Sequence, residues 1–61
     1  MWIVYTAIHG MAGVDLWYYG SYETRGRANE VAYELGGNYP VYHCVCHRDD
    51  AKELGVQNLP Y

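Results

Sequence analysis

Four residues with metal-ligand chemistry crowd into one short segment, His43-Cys44-Val45-Cys46-His47. Two imidazoles and two thiols are a zinc donor set in kind. The spacing argues against one shared ion. Pro40 marks the start of an extended stretch, and the spacing predicts a strand over 41–47. Side chains alternate along a strand, so Cys44 and Cys46 share one face, and His43 and His47 the other. At ~3.3 Å per residue the two imidazoles stand roughly 13 Å apart. No second ligand pair follows downstream, so no metal or other cofactor is expected. The two thiols, about 6.6 Å apart along the strand, lie near the limit of bridging geometry. A bridge there would close only a tiny loop and gain little entropy. They are expected as two small, free thiols in a reducing compartment.

Covalent catalysis needs a nucleophile, a base and a group that orients the base. Cys44 or Cys46 could attack, with His9, His43 or His47 as base. Adjacent strand residues face opposite sides, however, which separates His43 from Cys44. Ser21 is the single serine, and no nucleophile-elbow glycines flank it. Asp49-Asp50 is the one carboxylate pair and reads better as a helix start. Gly10 and Gly13 are too closely spaced for a phosphate loop, and no lysine follows them. The expectation is a protein that is not an enzyme.

The aromatic residues carry a different chemistry. There are eight Tyr and two Trp but no Phe. Tyr and Trp suit places where one end is dry and the other wet, and they dominate interface hot spots. Ten such residues exceed what a core of this size can hide.

The elements that must position these side chains follow from pattern. Residues 2–8 are β-branched and aromatic, which favours a strand. Residues 9–13 hold two glycines and read as a hairpin loop, and a second strand runs over 14–19. Gly20-Ser21 bends or breaks it. Thr24 is placed to cap a helix over 25–35, and Gly36-Gly37 to end it. Ala28, Val31, Ala32 and Leu35 recur at helical spacing as its apolar stripe, with Tyr33 on the other side. After the strand over 41–47, Asp49 or Asp50 caps a short terminal turn that Gly55 ends, with Asp50 and Glu53 spaced as a capping box. Residues 56–61 lack periodicity and read as a tail laid on the surface. The fold class is therefore α+β: a small ββαβ domain in which a three-stranded antiparallel sheet carries one main helix and a short C-terminal helical turn. Residues 1–61 form a single compact domain.

Size and charge bound the rest. For 61 residues and 7.0 kDa, scaling laws give a folded surface of ~4,000 Å². Such a domain has no room for a large buried active-site cavity. Seven acids against four Lys and Arg give a net charge of −3. The four cations fall in two separated pairs, Arg25/Arg27 and Arg48/Lys52, which disfavours tracking a phosphate backbone. No apolar run reaches the ~18 residues of a membrane span, and the first residues lack a basic leader. No membrane association and a cytoplasmic location are expected.

Asp15, Trp17 and Tyr19 share one face of the second strand. Val14, Leu16 and Tyr18 share the other, which is assigned to the helix. Depending on hairpin register, either Ile3, Tyr5 and Ala7 or Trp2, Val4, Thr6 and Ile8 lie beside Trp17. A single helix would leave the Trp17 face open. The function that follows is a small protein-interaction module, an inhibitor or modulator of a larger protein. Its contact residues are Trp17, Tyr19 and Tyr5, with His43 and His47 at the edge. The alternatives are a nucleic-acid-binding accessory protein that stacks bases on the same aromatics, and a structural component that forms a homodimer or larger homo-oligomer. In size and style the chain resembles small phage- or mobile-element-encoded proteins that bind and inhibit a host protein. No motif carries that resemblance, and no residue is assigned from it.

Overall fold

The structure is a computed structural model that describes all 61 residues. It contains strand β1 (Trp2–Gly10), strand β2 (Gly13–Tyr22), helix α1 (Arg25–Leu35), strand β3 (Val41–His47) and helix α2 (Arg48–Leu54). The three strands form one antiparallel sheet in the order β2-β1-β3, as the ββαβ reading requires. No helix is long and apolar enough to cross a membrane.

The central position of β1 explains its composition. Trp2-Ile3-Val4-Tyr5 is a continuous apolar run because both of its faces are covered. Ile3 and Val4 are the two large side chains with no exposure at all. Val4 packs with Ala28 and Val31 of α1, flanked by Trp2, Tyr22, Ala32 and Val45. Ile3 packs on the opposite face with Ala51 of α2 and Val56, flanked by Tyr5, Leu16, Tyr18, Cys46 and Leu59. Two small clusters, one per face, take the place of a single core. The folded surface is 4195 Å², close to the ~4,000 Å² expected from mass alone.

Local chemistry sets the element ends. The Thr24 side chain accepts the Arg27 N–H at 3.1 Å and caps α1. Gly36, at φ 73°, closes the helix by donating its N–H to the Ala32 and Tyr33 carbonyls. The hairpin is tighter than its glycines suggest. Gly10 pairs with Gly13 across Met11-Ala12 alone, and positive φ falls on Gly13.

Several details differ from the sequence expectation. The cap of α2 is His47, not Asp49 or Asp50: its Nδ1 accepts the Asp49 N–H at 3.1 Å. The strand feeds directly into the helix, so the last strand residue occupies the cap position. The C-terminal stretch is an integral layer rather than a tail laid on the surface. Val56 is buried, and Gln57 pairs with the outer edge of β2 through Tyr18 N–H to Gln57 O (2.9 Å) and Gln57 N–H to Leu16 O (2.8 Å). Leu35 is 37% exposed, so the apolar stripe of α1 ends in effect at Ala32.

The face assignment of β2 is also reversed. α1 lies on the Trp17 face, whereas Leu16 and Tyr18 pack beneath α2 and the C-terminal stretch. A bulge accounts for part of this. The register shifts between Val4 and Tyr5, where Val4 pairs with Gly20 but Tyr5 with Tyr18, so Tyr19 is the extra residue. The added residue places Gly20 and Tyr22 on the same face as Trp17, where Tyr22 joins the α1 cluster. The space above Gly20 is filled by the Tyr22 ring, whose hydroxyl would lie 2.9 Å from a Cβ at that position.

Candidate functional site

The register arranges the α1 face in four rows across the strands β2, β1 and β3. They are Tyr22–Trp2–His47, Gly20–Val4–Val45, Trp17–Thr6–His43 and Asp15–Ile8–Val41. α1 covers the first two rows and leaves the last two open. The result is a patch in which Trp17 is 42% exposed, with Tyr19 and Ile8 exposed beside it. Tyr19 reaches across Thr6 to His43, with its ring edge-on at a centroid distance of 6.3 Å. Thr6 is small enough to permit that contact. Asp15 lies opposite Ile8 at the rim, on the solvent side of the aromatics.

Of the five residues singled out from sequence, the structure gathers three: Trp17, Tyr19 and His43. Tyr5 lies on the opposite face, because Thr6 rather than Tyr5 stands beside Trp17. Its ring packs against the Ile3 cluster, and Cys44 is its cross-strand neighbour. Burial, reinforced by Cys44 and Cys46, pushes the Tyr5 phenol up to about 12. Burial also raises the Cys46 thiol, with Asp50 and Cys44 adding to the effect. Both shifts favour the neutral forms, as a largely apolar layer demands. His47 keeps the Trp17 face but sits at the covered end, two rows from His43. It packs edge-on against Trp2 at 5.1 Å and is committed to capping α2.

The alternation along β3 is as the strand reading requires: Cys44 and Cys46 face one side, His43 and His47 the other. The histidines carry opposite tautomers. His43 Nδ1 lies 2.8 Å from the Gly36 carbonyl. A carbonyl only accepts, so Nδ1 carries a proton there, and in the neutral ring Nε2 is the acceptor. His47 Nδ1 accepts from a backbone N–H, so its proton sits on Nε2.

A second feature adjoins the aromatic patch. An open groove of about 410 Å³ lies between the C-terminal end of α1 and β3, lined by Ala32, Tyr33, Gly36, Gly37, Tyr42 and His43. His43 belongs to both the groove and the patch. Glycine fits closely at position 37, where a Cβ would come within 3.1 Å of the Tyr42 backbone. Sequence reasoning put Ile8 beside Trp17 in only one of its two registers, and it missed Tyr33 and Tyr42. The signal available was their lack of a place in any apolar stripe, which left large aromatic or aliphatic side chains without cover. Comparison of the chain with protein-family models, with curated proteins and with solved structures returns no match.

Proposed function

We propose that the chain is a non-enzymatic protein-interaction module that modulates a larger protein through the uncovered half of its α1 face. The observation that carries this reading is the pair of open rows, where Trp17, Tyr19 and Ile8 stay exposed while Ile3 and Val4 take the buried positions. A folded domain with so little core gains nothing in its own stability from presenting a Trp, a Tyr and an Ile together to water. An aromatic patch with a polar rim is the anatomy of an interface hot spot. Trp17 is the central anchor of that patch, Tyr19 and His43 form one flank, and Asp15 the rim.

The test uses the intact chain as bait in extracts of its native host, side by side with Trp17→Ala. A protein partner retained by the wild type and lost with Trp17→Ala supports the reading, provided both baits melt at similar temperatures. A partner held equally by both overturns it. Retention of nucleic acid with steep salt sensitivity, or a purified chain that sediments as a dimer through this face, would replace it with one of the other two readings.

A further inference from the structure

We propose that the groove at the end of α1 receives an arginine side chain of the protein partner. This rests on the interaction-module reading and specifies the chemistry of one contact within it.

The charges of the chain supply the first argument. All four of its cations have local partners. Arg25 lies over the Trp2 ring at 5.4 Å, and Arg27 pairs with Glu30 at 3.1 Å. Arg48 and Lys52 lie over the Tyr61 ring at 4.1 and 5.5 Å. The net charge is −3, and of the seven acids Glu30 alone pairs with a Lys or Arg. The surface thus offers unanswered negative charge and no free cation. A partner of complementary charge brings cations.

The groove supplies the second argument, because negative potential converges there. The C-terminus of a helix carries roughly half a negative charge. The last turn of α1 holds no basic residue to offset it. The Gly36 carbonyl is occupied by His43, whose Nε2 remains an acceptor. The lining is otherwise aromatic and small. Tyr33 and Tyr42 provide π-faces, and Gly36 and Gly37 keep the floor free of side chains. The free nitrogen of His43 beside aromatic rings suits a guanidinium, which is planar, weakly hydrated and rich in donors, and which stacks on aromatic faces. An ammonium is more strongly hydrated and benefits less from such a wall. The volume, about 410 Å³, is in the range of small-ligand sites, ~300–1,000 Å³. His43 joins the groove to Tyr19, so an arginine seated here would lie at the margin of a partner docked on Trp17.

The experiment titrates the isolated ¹⁵N-labelled chain with N-acetyl-arginine methylamide, followed by amide shifts. The citrulline analogue serves as the uncharged isostere. Saturable shifts are expected at Gly36, Gly37, Tyr42 and His43 with the arginine probe and not with the citrulline probe. Tyr33 is 85% exposed, so Tyr33→Ala keeps the fold. It should weaken the arginine probe about two- to fivefold, the equivalent of one exposed cation–π contact. The amide spectrum reports its folding directly. Linear, unsaturable shifts with the arginine probe would overturn the proposal, as would equal response to the two probes. Because no partner is present, such a failure leaves the Trp17→Ala result standing and is distinguishable from failure of the interaction reading.

Discussion

Replacing Ile3 by Val tests the two-cluster architecture most directly. Ile3 has no exposure and is the one large, fully buried residue of the cluster formed with Ala51 and Val56. The change removes one methylene-sized group, worth ~0.8 kcal/mol in transfer. The small space left behind brings the cost to about 1 kcal/mol, within the ~0.5–1.5 range of such changes. At ~2.1 cal/mol/K of unfolding entropy per residue, a chain of this length changes its Tm by about 8 °C per kcal/mol. Thermal melts followed by far-UV circular dichroism should therefore show Ile3→Val about 8 °C below wild type. Valine is the informative choice, because Ile3→Ala at ~2–5 kcal/mol would consume most of the ~3–9 kcal/mol that a domain of this size possesses. Leu35→Ala provides the contrast. At 37% exposure Leu35 leaves no enclosed cavity, and losing about two thirds of a three-carbon transfer costs about 1.5 kcal/mol. That is less than the ~2–4 kcal/mol a fully buried leucine would cost. An Ile3→Val protein melting within about 2 °C of wild type, less than a third of the shift expected per kcal/mol, would refute the enclosure of Ile3 by the C-terminal layer.

Three further outcomes are expected. His47→Ala should lose about 1 kcal/mol by uncapping α2, and His47→Asn should recover most of it, since Asn supplies the same acceptor; equal melting temperatures for the two variants would remove the cap from the account. Gly20→Ala should cost about 1 kcal/mol in the wild type, because the Tyr22 ring must leave its seat, yet be nearly silent in a Tyr22→Ala background, a coupling that a double-mutant cycle in urea measures directly. Tyr5, pushed up to about 12 by burial with help from Cys44 and Cys46, stabilises the fold fully below the ordinary tyrosine value of 10, and that contribution disappears as pH rises through about 12. Urea midpoints measured from neutral to strongly alkaline pH should fall across that window in the wild type and fall less in Tyr5→Phe; parallel curves would show that Tyr5 titrates normally.

Much of the framework was readable because it is local. Thr24 and Gly36 mark the ends of α1 through hydrogen bonds made within one turn, and the strand segments are set by β-branched and aromatic runs. What escaped is what depends on distant residues. The choice of Thr6 rather than Tyr5 beside Trp17 rests on the two-residue hairpin turn, and the place of Tyr22 on that face on the Tyr19 bulge; neither alters composition. Asp15 is exposed. It stands in the row beyond the reach of α1, however, so its exposure does not reveal which face the helix covers. Leu35 keeps helical spacing although the sheet contact ends at Ala32. Val56 has no periodicity to betray its burial, because a single side chain entering a cluster makes no pattern. His47 looked like a ligand or a contact, and the strand-to-helix junction made it a cap.

The pairing of Gln57 with β2 has a consequence for colloidal behaviour. Val14-Asp15-Leu16-Trp17-Tyr18-Tyr19 is rich in residues that favour extended stacking, and it lies on an outer strand of the sheet. Such a strand, with free backbone donors and acceptors, would invite addition of further chains edge to edge. Gln57 occupies the Tyr18 N–H and the Leu16 carbonyl at its middle, and the Gln57 side chain adds a third bond to Leu16 O at 3.3 Å. Growth of the sheet on that side first requires the C-terminal layer to peel away, which would expose Ile3. The stickiest strand is thus offered to other molecules through its side chains and not through its backbone. This separates recognition by a partner from polymerisation, and proteolytic loss of the last few residues would abolish that separation.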